Sequence, residues 1–207
     1  LAGWFTFLLA RDLRAGLFAA LVAGLTFELS GFAVAWLELP SFISVGCWIP
    51  LALLCIGKAV RLGSWPRALG AAAALGMMLL AGHLQIAFYG LLAAGCWWLW
   101  ETIALIRRRE PESGRPSTLA RIAGAAARGG VALAGGLALA APQMLPSMEL
   151  ARISHRAASA TAAGYAGYVE RALPIQNLVT LLVPDYYGLP GRNDFWGGWE
   201  YTAPNVM

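Results

Sequence analysis

Long apolar runs alternate with short polar breaks along this chain. The runs cover residues 15–37, 42–57, 68–82, 84–106 and 129–145, and residues 1–10 read as the tail of another. An α-helix rises 1.5 Å per residue, so about 20 residues cross a hydrocarbon core ~30 Å thick. Most of these runs therefore predict membrane-spanning helices. Residues 68–106 form a stretch of 39, too long for one span. The segment AGHLQIAFY interrupts it, and a tight turn at Gly82 and His83 would set His83 and Gln85 at a membrane face. The predicted fold is all-α. A polytopic transmembrane helix bundle occupies residues 1–146, with five full spans and a truncated one, and an extracytoplasmic helical and loop segment occupies residues 147–207.

Charge gives this pattern an orientation. Of the 15 Lys and Arg residues, 11 sit in three of the breaks: Arg11 and Arg14; Lys58, Arg61 and Arg67; and Arg107, Arg108, Arg109, Arg115, Arg121 and Arg128. The turns between, near residues 38–41 and at Gly82 and His83, hold no Lys or Arg. The positive-inside rule places the basic breaks in the cytoplasm and everything after Pro142 outside. The location implied is a membrane, crossed many times.

Composition agrees. With 59% hydrophobic and only 13% charged residues, the chain has too little polar surface for a soluble domain. A sequence pI near 9.3 reflects basic residues at helix ends, where they meet anionic headgroups; membrane lipids are partners and nucleic acid is not. Cys47, Cys55 and Cys96 lie in apolar runs without CxxC spacing or a nearby His. They read as buried thiols, not disulfides or metal ligands, and no metal or cofactor is implied. The opening run has neither a basic lead nor a small-x-small site before Arg11, so it reads as a truncated span of a fragment and not as a signal peptide.

Glu28 stands near the middle of the 15–37 run, where an ionised carboxylate costs about 2.5 kcal/mol or more unless paired, protonated or facing water. It is expected to face the bundle interior, either as a protonated hydrogen-bonding group or as a proton or substrate site. The linker RRREPESGRPST is the clearest break in the chain. After it, residues 119–128 suit an interfacial helix with Arg121 and Arg128 seven apart, and the Gly- and Ala-rich run that follows suits close helix packing.

Beyond Pro142, PQMLPSMELARISHRA puts Glu149, Arg152 and Arg156 on one helical face. That face fits either ion pairing along a solvated surface or recognition of a phosphate by guanidinium groups. LPIQNLVTLLVPDYYGLP then suits a short helix in or on the outer leaflet, ended by Pro184. Trp196, Trp199 and Tyr201 fit an interfacial aromatic belt, or stacking on sugar rings with Asp185 and Glu200 as hydroxyl acceptors. A lone His at a helix start, such as His83, is by residue type a capping or packing group.

These segments, in order, resemble the bacterial YfhO-like membrane proteins, which are grouped with the C-type glycosyltransferase superfamily. The resemblance rests on FELSGFAVAW with SFISVGCWIPL, then AGHLQIAFY, then PQMLPSMELARISHRA, then LVPDYYGLP followed by WEY. It implies an integral membrane enzyme that moves a sugar from a polyprenyl-phosphate-linked donor to an extracytoplasmic cell-envelope acceptor. One departure is Leu39, where relatives often carry His before the Pro that matches Pro40. The superfamily's catalytic acid is expected upstream of Leu1. The resemblance therefore carries over only accessory substrate-binding candidates: His83, Gln85, Gln143, Glu149, Arg152, Ser154, Arg156, Asp185 and Glu200. In that scheme the upstream acid deprotonates the acceptor, Arg156 or Arg152 neutralises the departing phosphate, and His83 and Gln85 orient substrate. Two other classes compete: a proton-coupled transporter or lipid flippase centred on Glu28, and a non-catalytic envelope scaffold.

Overall fold

The computed structural model describes residues 1–37, 39–107, 117–153, 161, 165, 175–188, 192 and 194–196. Among these, every regular element is helical. The helices are α1 (Ala2–Asp12), α2 (Leu17–Glu28), α3 (Gly31–Ala35), α4 (Pro40–Gly46), α5 (Trp48–Arg61), α6 (Trp65–Leu80), α7 (Leu84–Arg107) and α8 (Thr118–Ile153), followed by a 3₁₀ helix at Ile175–Leu181. Four helical stretches are long and apolar enough to cross a membrane: Leu17–Ala35, Pro40–Arg61, Leu84–Arg107 and Thr118–Ile153. The apolar α6 has 16 residues, about 24 Å of helix. The chain divides into two compact units, Leu1–Leu150 and Ala151–Met207.

Local chemistry explains where the helices stop. α5 ends at Gly63, whose φ of 65° suits a residue without Cβ, and the Ser64 N–H closes back on the Ala59 carbonyl at 3.2 Å. α6 ends in the same way at Gly82, φ 86°, so the tight turn expected there is present. α2 stops at Glu28. Ser30 turns extended, and its Oγ accepts the Ala33 N–H at 3.3 Å to cap α3. Pro40 opens α4, where a missing N–H does no harm.

The core sits around α5, which packs on α1, α6 and α7. Val45, Ala52, Ile56, Ala71, Leu75, Met78 and Ala87 are all buried, and Met78 and Val45 are the largest fully enclosed side chains. Small residues bring helices close elsewhere. A Cβ on Gly24 of α2 would lie 2.6 Å from the Gly3 carbonyl of α1, and one on Gly136 of α8 would lie 2.9 Å from Leu75 Cβ of α6. The Gly- and Ala-rich run thus packs as its composition predicts. The outer surface is apolar: Phe18 and Leu25 on α2, Leu99 and Trp100 on α7, and Leu119 on α8 are all exposed. A soluble monomer rarely exposes apolar surface on that scale.

Three expectations need correction. The interfacial helix at 119–128, the span at 129–145 and the helix after Pro142 are one element, because α8 runs unbroken through Pro142 and Pro146 for 36 residues. That is about 54 Å, well beyond a ~30 Å core. Cys55 is buried as expected, but Cys47 is only half-buried and Cys96 is exposed on the outward face of α7. Glu28 is not enclosed among helices. It ends α2 with its side chain half exposed.

In the second unit the 3₁₀ helix leads into a turn in which the Gly188 N–H reaches the Asp185 carbonyl at 2.9 Å. Gly188 has φ 78° there. The short helix expected before Pro184 is present, wound as 3₁₀ and not as α.

Candidate functional site

The first unit has two ends of opposite character. At one, the basic breaks come together. Arg61 at the end of α5 donates to Asp12 at the end of α1 and to Glu101 near the end of α7, and Lys58 Nζ lies 3.5 Å from Asp12 Oδ1. This run of alternating charge, Lys58–Asp12–Arg61–Glu101, is largely closed to solvent; the Glu101 side chain is only 6% exposed. Gly57 makes the space, since a Cβ there would lie 2.8 Å from an Arg61 guanidinium nitrogen. The same end continues outward. Arg121 donates to the Leu105 carbonyl at 2.6 Å, Trp98 donates to the Ala125 carbonyl at 3.1 Å, and Arg128 lies over the Trp65 ring at 5.9 Å.

Sequence reasoning treated Lys58 and Arg61 as orientation signals and passed over Asp12 and Glu101. A signal was there. Lys58 and Arg61 share a helical face at i and i+3, and two acids stand in otherwise basic or apolar surroundings beside them. What the sequence lacks is the pairing across 40 and 49 residues.

At the opposite end, the turn between α6 and α7 presents His83. Its Nδ1 accepts the Ile86 N–H at 3.3 Å and so caps α7. An accepting Nδ1 leaves the ring's N–H on Nε2. The imidazole packs on Phe42 of α4 with centroids 3.9 Å apart, and Phe42 stacks on Trp36 at 4.0 Å. His83 is therefore both a cap and a packing group. Gln143 of α8 reaches the same turn, with Nε2 3.6 Å from where a Gly82 Cβ would be. Gln85, one residue into α7, is exposed and donates to the Tyr89 hydroxyl at 3.2 Å.

The structure thus brings His83, Gln85 and Gln143 to one turn. Glu149 and Arg152 are exposed on the last turns of α8, and no ion pair joins either to another described residue. Asp185 is an exposed turn residue of the second unit. Beside it Tyr186, Tyr187 and Trp196 form a ring cluster with centroids 4.8–5.3 Å apart, held where the Trp196 N–H meets the Tyr187 carbonyl at 2.9 Å. Ser154, Arg156 and Glu200 lie outside the described residues, as do Trp199 and Tyr201.

Between the two ends lies a cavity of about 490 Å³ bordered by the α2–α3 and α4–α5 junctions. Its polar lining is Glu28, Ser30, Ser44 and Cys47, set among Phe27, Phe32, Ile43 and other apolar groups. α2 spans about 18 Å and α5 about 21 Å from the basic end, so the two junctions meet at similar depth. Among the described residues, no group of three or more His, Cys, Asp or Glu side chains is placed to hold a metal ion. Compared with protein-family models, with curated proteins and with solved structures, the chain matches none.

Proposed function

We propose that this chain is part of an integral membrane glycosyltransferase of the bacterial cytoplasmic membrane, moving a sugar from a polyprenyl-phosphate donor to an extracytoplasmic cell-envelope acceptor. The observation that carries the reading is the gathering of His83, Gln85 and Gln143 at one turn, at the bundle end opposite the basic cluster. Positive-inside orientation sets that end outside, in reach of a lipid-linked donor in the outer leaflet. His83 offers an Nε2 donor to a donor or acceptor oxygen, and Gln143 supplies a side-chain amide that both donates and accepts. Arg152 and Arg156 follow Gln143 in the sequence, and in this proposal one of their guanidinium groups neutralises a departing phosphate. In this scheme a carboxylate acts as the base that deprotonates the acceptor hydroxyl.

The test is consumption of a polyprenyl-phosphate sugar by membranes carrying the whole protein. Gln143→Ala is expected to lower turnover about tenfold or more, the loss of one hydrogen bond to a charged group, with the amount of folded protein unchanged. Equal losses in turnover and in folded protein would make Gln143 structural.

One observation favours a second reading, a proton-coupled transporter or lipid flippase. Glu28 stands at a helix interruption opposite a second junction, and interrupted helices around an ionisable group are a transporter feature. Under that reading Glu28→Gln abolishes uptake or lipid translocation, whereas under the first it leaves sugar consumption intact.

A further inference from the structure

We infer that Arg128 of α8 and the opening of α6 form a site for the phosphate of an anionic phospholipid, in the leaflet at the basic end of the bundle. The inference stands apart from the sugar-transfer reading and uses none of its residues. At that end Arg11, Arg61 and Arg121 each donate to a carboxylate or a carbonyl, and Arg14, Arg67 and Arg107 are exposed to solvent. Arg128 has neither outlet. It is half-buried, its Nε is buried without a hydrogen-bond partner, and no ion pair joins it to another described residue. The nearby acids are already engaged, Asp12 by Lys58 and Arg61 and Glu101 by Arg61. The guanidinium is nevertheless held in place. It lies over the Trp65 ring at 5.9 Å, in room left by two glycines, since a Cβ on Gly124 would lie 3.1 Å from Nη2 and one on Gly63 3.9 Å from Nη1. A positioned guanidinium without an anion is the group whose fork matches two oxygens of a phosphate.

The opening of α6 reinforces that preference. Its first turn holds no acidic residue, and the Ser64 hydroxyl makes no cap bond to it, so the positive end of the helix is left to an outside acceptor. Arg67 stands in the same turn. α5 ends beside it and brings carbonyls, but those of Lys58 and Ala59 already accept the Leu62 and Ser64 N–H groups at 3.0 and 3.2 Å, and its last turn carries Lys58 and Arg61. The depth fits a headgroup. Arg128 stands about 22 Å of helix from Gln143, and the length of its own side chain carries the guanidinium to the far interface of a ~30 Å core. Leu62, Trp65 and Leu69 are exposed around the site. That apolar ground suits the acyl chains of a lipid and offers nothing to a free phosphate.

The test is native mass spectrometry of the whole protein in nonionic detergent, titrated with phosphatidylglycerol or with phosphatidylcholine of the same acyl chains, in which the choline cancels the phosphate charge. Phosphatidylglycerol is expected to bind about tenfold or more tighter, and Arg128→Met to remove that margin, the loss of one hydrogen bond to a charged group. Arg107→Met makes the same change in net charge and is expected to leave the margin intact. Arg128→Lys keeps the charge without the fork and is expected to bind more weakly than wild type, which decides the matter where Arg128→Met fails to fold. Equal losses from Arg107→Met and Arg128→Met, or binding unaltered by Arg128→Lys, would overturn the site. Displacement of phosphatidylglycerol by inorganic phosphate at matched concentration would overturn the lipid assignment in favour of the free ion. No sugar transfer enters the readout, so failure here leaves the glycosyltransferase reading untouched, and the reverse holds.

Discussion

Arg61 is the residue on which the closed end depends. Its guanidinium serves two carboxylates on two other helices, and its planar fork is suited to that bridging where a Lys point charge is not. Removing it strands Glu101, whose side chain is 6% exposed, and leaves Asp12 with Lys58 alone; an uncompensated buried charge costs about 3–5 kcal/mol. Arg61→Ala is expected to lower the detergent-solubilised melting temperature sharply, and the additional change Glu101→Gln to restore much of the loss. A melting temperature unmoved by Arg61→Ala would show that the cluster contributes nothing. His83 separates in a similar way. His83→Ala loses the cap and the Phe42 contact, with a cap worth about 0.5–2 kcal/mol, whereas His83→Asn keeps a capping acceptor. Thermal melts that rank wild type, Asn and Ala in that order fit the two roles; identical melts for Asn and Ala would remove the cap from the account.

The elements were largely legible from hydropathy because a helix in hydrocarbon needs a long apolar run and nothing else ends it except charge, Gly or Pro. The turn at Gly82 and His83 and the stops at Arg11 and Arg61 follow from those signals. Hydropathy failed where two signals disagreed. Pro142 and Pro146 read as the end of a span, yet α8 continues through both, because a Pro removes one N–H and does not forbid helix when neighbouring helices hold the chain. The break at Glu28 was equally unreadable, since residues 15–37 are uniformly apolar around it and only the Ser30 cap marks the interruption. Helix contacts can be tested at Gly136, where a Cβ would lie 2.9 Å from Leu75 Cβ and 3.2 Å from the Ala72 carbonyl. Gly136→Val is expected to force α6 and α8 apart at a cost of about 1–3 kcal/mol. Double electron–electron resonance between spin labels on the outward faces of α6 and α8 would register the separation, and an unchanged distance would mean that the crossing is looser than described.

At the scale of the molecule, the two ends divide the labour: one is closed by paired charge and the other offers polar groups at a turn. Charge counting alone placed Arg61, Arg121 and Arg128 at the same end, and their bonds to Asp12, Glu101, the Leu105 carbonyl and the Trp65 ring fit that grouping. The candidate site was less readable. Gln143 meets the Gly82 turn from 61 residues away in sequence, a tertiary fact that no local pattern encodes. The account as a whole stands on the basic end lying in the cytoplasm and the His83 end outside. Cysteine accessibility in intact cells tests this most directly, in a variant lacking Cys47, Cys55 and Cys96, with Leu62→Cys at the basic end and Ser147→Cys on α8 beyond Gln143. A membrane-impermeant maleimide is predicted to label position 147 in intact cells and position 62 only after the membrane is opened. Labelling of position 62 in intact cells, with position 147 protected, would contradict the account.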